Sequence, residues 1–185
     1  MAHTFLFEPA VWTAKGTLWR ADGEPLEAIG RTEIAHRPEC WLLSGTLKVL
    51  GSPPAEFVHA YWIEPPGPDG ASMKWTFEDA TFGRLRGRFA VIGESILSVF
   101  GCDSSGYHGA EHLGQIDAST YRSAGVLLLK EQMIYSWQMM LQRAPLTVSR
   151  RASPAGSDPP AAPRTATSGR SPRSGTRASA APRAR

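Results

Sequence analysis

The 185-residue sequence predicts an all-β fold, and three observations carry that expectation. Apolar and polar residues alternate with a period of two along one segment after another. The segments are short and regularly spaced, and many are separated by glycine- or proline-bearing turns, as in an antiparallel meander. Each segment has one apolar face, and a sheet built from them loses its exposed edges by closing on itself. An up-and-down antiparallel barrel of about 8–10 strands satisfies all three, with a β-sandwich as the alternative.

The pair around which the rest is organised is RLRGRFAVIGESILSVFG, from Arg84 to Gly101. Leu85, Gly87, Phe89 and Val91 share one face, and Arg84, Arg86, Arg88 and Ala90 the other. After the corner Gly93-Glu94, Ile96, Ser98 and Phe100 alternate with Ser95, Leu97 and Val99. One side of this hairpin is built for burial and the other for water. Earlier in the chain, Phe5, Leu6 and Phe7 are placed to cover one end of a core. In VWTAKGTLWR, Trp12, Ala14, Gly16 and Leu18 share a face, and Ala21-Asp22-Gly23 signals a tight hairpin, the clearest in the chain. The segment from Leu26 to His36 alternates Leu26, Ala28, Gly30, Thr32 and Ile34 against Glu27, Ile29, Arg31 and Glu33. Cys40 to Leu50 presents Trp41, Leu43, Gly45, Leu47 and Val49 on one face, and Glu56 to Glu64 presents Phe57, His59, Tyr61 and Ile63. The latter also has bulk opposite, in Val58 and Trp62, which implies that its second face is partly covered. Ser72 to Glu78 is a short strand.

Three short strands are expected next, Tyr107 to Leu113, Gln115 to Arg122 and Gly125 to Lys130. Gln132 to Gln142 closes the series, with Met133, Tyr135, Trp137, Met139 and Leu141 on one face. Its Met, Gln and Leu also suit a helix, but the period of two with Tyr135 and Trp137 favours a strand. Glycines within strands, at Gly16, Gly30, Gly45, Gly87 and Gly109, fit the sharp bends of a small barrel.

Charge divides the chain. Eight of its 20 lysines and arginines lie between Arg150 and Arg185, leaving 12 against 16 of the 17 acidic residues before that point. The expected organisation is a barrel domain over residues 1–149 and a disordered Arg/Ala/Ser/Pro-rich tail over 150–185. The tail's composition fits an inert solvated extension or an out-of-frame end of a GC-rich reading frame. It carries no aromatic residues to stack on bases, so a nucleic-acid partner is disfavoured. Cys40 and Cys102 are too few for a disulfide framework, and neither belongs to a CxxC pair. With no secretory-type start and no apolar run long enough for a membrane span, a cytoplasmic location is expected.

The length, the meander and the start Trp12 followed by Gly16-Thr17-Leu18-Trp19 resemble the calycin group of ligand-holding barrels, namely lipocalins, fatty-acid-binding proteins and nitrobindin-like haem barrels. The resemblance covers Val11 to Arg143. It implies a barrel with a cavity for a small, largely apolar molecule, without saying which.

His108-Gly109-Ala110-Glu111-His112 matches the HxxEH pattern of inverted zinc peptidases, where a helix brings both histidines to one metal. The glycines around and inside this copy oppose a helix. As a strand it holds the histidines about 13 Å apart, too far to share zinc, with Glu111 on the opposite face. No metal site is therefore expected. Two arrangements remain open: Tyr107 and Glu111 face the interior as a hydrogen-bonding pair, or the histidines do, and one ligates haem as in nitrobindin-like barrels. His59 and Tyr61 share a face with Phe57 and Ile63, and a polar pair on an apolar face can orient a guest. Trp75 and Trp137 are placed to stack on a ligand or to fill the core. The candidate ligand-binding residues are thus His59, Tyr61, Trp75, Tyr107, Glu111 and Trp137, with no catalytic residue and no cofactor assigned. Arg84, Arg86 and Arg88 form an outward stripe for solvent or for an acidic partner. No GxSxG elbow, GxGxxG loop or P-loop occurs.

The leading functional expectation is the binding of a small apolar or amphipathic molecule in the barrel. The alternatives are an enzyme on the same barrel, an isomerase or a haem-dependent detoxifier, and an interaction module using the outer face. Fold alone does not choose among them.

Overall fold

The computed structural model describes residues 2–145 except Asp22, Asp69 and Asp103. The boundary expected at 149 and 150, and the tail beyond it, lie outside the described residues. Among those described are ten strands: β1 (Ala10–Arg20), β2 (Leu26–His36), β3 (Trp41–Val49), β4 (Ala55–Ile63), β5 (Ser72–Asp79), β6 (Gly83–Ile92), β7 (Ser95–Gly101), β8 (Tyr107–Asp117), β9 (Thr120–Leu129) and β10 (Gln132–Arg143). Each strand pairs antiparallel with its sequence neighbours, and β1 pairs with β10 to close the barrel. The sandwich alternative is excluded by this closure, and the structure is the calycin-like barrel that the resemblance implied. Among the described residues no helix is long and apolar enough to cross a membrane.

The faces follow the period of two. Leu85 and Phe89 of β6 are buried while Arg84, Arg86 and Arg88 are exposed, and Ile96 and Ser98 of β7 are buried while Val99 is exposed. The β6–β7 corner holds only Gly93 and Glu94, and Gly93 takes φ +61°, as the first central residue of a two-residue hairpin loop requires. Arg84 pairs with Glu78 at 3.2 Å, and Arg88 donates to Ser72 Oγ at 2.8 Å, so part of the arginine stripe is engaged with β5.

Four expectations are corrected. The segments from Tyr107 to Lys130 form two long strands rather than three short ones, because the turn falls at Ala118-Ser119 and not at Gly114 or Arg122. Asp117 Oδ1 accepts from the Ser119 backbone N–H at 2.7 Å and from its hydroxyl at 2.8 Å, which fixes that turn. The connection after β1 is not a two-residue hairpin: Leu18 pairs with Leu26, and Arg20 pairs only with Tyr135 of β10. In β10 a bulge between Met133 and Tyr135 breaks the alternation. Met133 is thereby set opposite Leu128 and is 40% exposed, off the inward face. The outer face of β4 is open to solvent rather than covered, with Val58 69% and Trp62 47% exposed.

The lead-in segment closes one end of the barrel. Phe5 and Leu6 are buried, and the Phe5 ring meets Trp12 at 5.3 Å and Tyr121 at 5.7 Å between centroids. The Tyr121 hydroxyl accepts from the backbone N–H of Thr4 at 3.0 Å and of Phe5 at 3.3 Å. Thr4 Oγ1 donates to the Ala118 carbonyl, and His3 Nε2 lies 3.0 Å from the Gly93 carbonyl, so the segment is tied to two turns of the same end. These bonds satisfy backbone groups that would otherwise be orphaned over an apolar core.

Candidate functional site

A cavity of about 290 Å³ occupies the barrel interior, reaching from Phe5 at the plugged end to Asp79 and Phe82 in the β5–β6 turn. It approaches solvent on the β4 side. Pairing between β4 and β5 is confined to Tyr61 through Ile63 against Trp75 through Phe77, so the first half of β4 runs past the β5–β6 turn without a ladder. The exposed Val58 is one of the residues lining the cavity there.

On the inner wall, Ser98 of β7, Glu111 of β8 and Gly125 of β9 lie directly opposite one another, and Gly125 faces Trp137 of β10. The Trp137 indole lies over Gly125, where a β-carbon would fall 2.2 Å from Cζ2. That absence of a side chain lets the ring cross to β8, and Trp137 Nε1 donates to Glu111 Oε1 at 3.2 Å and to Ser123 Oγ at 3.2 Å. Ser123 in turn donates to the same Oε1 at 2.6 Å. A second tryptophan repeats the device from the other side. The Trp75 indole lies over Gly87, where a β-carbon would fall 2.3 Å from Cε2, and its Nε1 donates to Ser98 Oγ at 3.1 Å. Two indole N–H groups thus converge from opposite sides on one small polar area in an otherwise apolar interior.

Burial shifts the titratable groups here. It raises the Glu111 carboxyl above the ordinary range, against the opposing pull of the Ser123 and Trp137 hydrogen bonds. Burial, reinforced by the Glu111 charge, raises the Tyr61 phenol. Burial lowers His59 to about 4, so its imidazole is neutral near pH 7. Thr32 Oγ1 lies 3.2 Å from His59 Nε2. The Tyr61 hydroxyl has no hydrogen-bond partner among the described residues, and its ring packs edge-on against Trp75 at 4.9 Å.

Of the six candidate residues read from sequence, His59, Tyr61, Trp75, Glu111 and Trp137 all line this cavity. Tyr107 does not; it packs edge-on against Phe82 at 5.2 Å, at the first residue of β8. Tyr107 and Glu111 therefore do not form the pair that one of the two open arrangements supposed, because Tyr107 lies at the rim, four positions along β8 from Glu111. His108 and His112 are exposed on the outer face, with Nε2 of His112 2.9 Å from Ser95 Oγ, so neither reaches an interior haem. Ser123 and Asp79 were missed. With Thr120–Leu129 taken as one strand, Tyr121, Ser123, Gly125 and Leu127 alternate inward, and the misplaced break concealed that pattern.

No family model matches the chain, and no curated protein matches it in sequence. Among solved structures it is similar to an S-type phycobiliprotein lyase, CPES, from Guillardia theta, with a TM-score of 0.57 and 5% identity over 76% of this chain and 91% of that one. It is also similar to Rv2717c from M. tuberculosis, with a TM-score of 0.50 and 12% identity over 74% of this chain and 92% of that one. At such identities the likeness concerns the fold.

Proposed function

We propose that this calycin-like barrel binds a small amphipathic molecule in its interior, with His59, Tyr61, Trp75, Glu111 and Trp137 as the residues that contact it and Tyr107 at the rim. The observation that carries the reading is a carboxyl group held by two donors inside an apolar cavity that also contains an unpartnered phenol. An apolar pocket with a few placed polar groups is the usual form of a small-molecule site. The volume, about 290 Å³, lies near the lower end for such pockets, which favours a compact guest. One of the two solved structures with a similar fold is a phycobiliprotein lyase, which supports a barrel that handles another molecule. Cys40 and Cys102 are unpaired, which suits a reducing compartment such as the cytoplasm.

The test is uptake of the neutral fluorophore N-phenyl-1-naphthylamine by the full chain, alongside native mass spectrometry of the protein as purified. The wild type should enhance the fluorescence saturably. Leu47→Trp, which adds bulk at a lining position, should abolish the enhancement while leaving the melting temperature nearly unchanged. Equal uptake by both proteins, with no retained small molecule, would place binding outside the cavity and defeat the reading.

A further inference from the structure

The polar area of the cavity is one-sided in charge. Among the described residues Glu111 and Asp79 line the cavity, no lysine or arginine does, and His59 contributes no positive charge near neutral pH. Both donors to Glu111 bind the same oxygen, Oε1, and Oε2 has no partner among the described residues. Two hydrogen bonds to one carboxylate oxygen favour the ionised form, yet an ionised carboxylate in an apolar interior without a counter-charge is strongly penalised. A glutamine would satisfy the same donors without that penalty. What the carboxyl adds is a free oxygen facing the void and a proton that it gives up once a positive charge lies against it, since such a guest offsets the burial that raises it.

Around it stand aromatic faces. Tyr61 and Trp75 meet at an interplanar angle of 74° with centroids 4.9 Å apart, forming a corner, and Phe100 continues the wall at 5.6 Å from Trp75. Trp137 bounds the other side of Glu111 through its hydrogen bond. Trp75 reaches the same place through Ser98, the residue directly across from Glu111. A carboxylate beside several π faces is the environment that stabilises an ammonium group once it has lost its water. The same surroundings repel a carboxylate-bearing guest, since nothing lining the cavity can neutralise it.

Resting on the cavity reading above, we infer that the guest is a small organic cation, a protonated or quaternary amine carrying an apolar group. Its charge sits against Glu111 Oε2, beside the corner formed by Tyr61 and Trp75. Its apolar part fills the cavity toward Phe5, and Asp79 gives the entrance the same negative sign.

Three probes of similar shape test this with the full chain, read by quenching of tryptophan fluorescence: benzyltrimethylammonium, its neutral carbon isostere neopentylbenzene, and the anion 3-phenylpropionate. Wild type should bind the cation at least about 30-fold more tightly than the isostere, as expected when a desolvated cation–π contact is joined to a charge pair. The anion should bind weakest. In Glu111→Gln the preference for the cation should vanish while affinity for the isostere stays within about threefold. Equal or tighter binding of the isostere by wild type, or a preference for the anion, overturns the cation assignment and leaves the cavity reading standing. Failure of all three probes in wild type overturns both. The wild-type comparison needs no variant, so it decides the matter even if Glu111→Gln folds poorly.

Discussion

Gly125→Ala tests the packing that aims Trp137 at Glu111. The added methyl would fall 2.2 Å from Trp137 Cζ2, 2.5 Å from Cε2 and 2.8 Å from the Ala110 carbonyl oxygen. Contacts this short cannot persist, so the indole must swing away. Two effects then oppose each other. At an unstrained position alanine would stabilise by about 0.4–1 kcal/mol, by restricting the unfolded chain. Overpacking costs about 1–3 kcal/mol, and leaving Glu111 and Ser123 without the indole N–H costs about 1–3 kcal/mol more. The unfavourable side wins, with a net destabilisation of about 1–6 kcal/mol. Urea unfolding followed by circular dichroism measures it, with the slope checked for constancy. The control is Gly125→Ala on a Trp137→Leu background, where the obstructing ring is gone and at least half of the cost should disappear as a coupling energy. A neutral or stabilising Gly125→Ala, or the same cost on both backgrounds, would refute the argument that Gly125 exists to let the indole pass.

Two more perturbations address the site and the plug. His59 is lowered to about 4 by burial, so the unfolded chain takes up its proton first as the pH falls. The stability it contributes is complete above the ordinary histidine range and is lost as pH falls from about 6.5 through about 4, by roughly 3 kcal/mol at ~1.36 kcal/mol per pH unit. His59→Gln should remove that dependence, and urea curves that lose stability in parallel for both proteins between pH 7 and 4.5 would contradict it. Tyr121→Phe removes the acceptor of the Thr4 and Phe5 N–H groups and should cost about 2–4 kcal/mol. Hydrogen exchange should accelerate at residues 4 and 5 first, and unchanged exchange there would show that the plug is held by apolar packing alone.

The sequence by itself determined the architecture, because strand periodicity is local. Leu85, Phe89, Ile96 and Ser98 are buried, and Arg84, Arg86, Arg88 and Val99 exposed, as a period of two requires. His59, Tyr61 and Trp137 were legible as inward for the same reason, whereas periodicity left open whether Glu111 or His108 and His112 point in, and a sheet with one apolar face has no better solution than closure. What only the tertiary structure decided depends on register between strands distant in sequence. The meeting of Glu111, Ser123 and Trp137 is set by pairings across β8, β9 and β10, and Trp137 reaches Glu111 only because Gly125 lies between them. The bulge that turns Met133 out of line and the turn at Ala118-Ser119 are set by pairing between strands, and composition alone does not mark either. Whether a charged group in the interior has a counter-charge is likewise a property of all the walls together, and it is this that distinguishes Glu111 from an ordinary strand carboxylate.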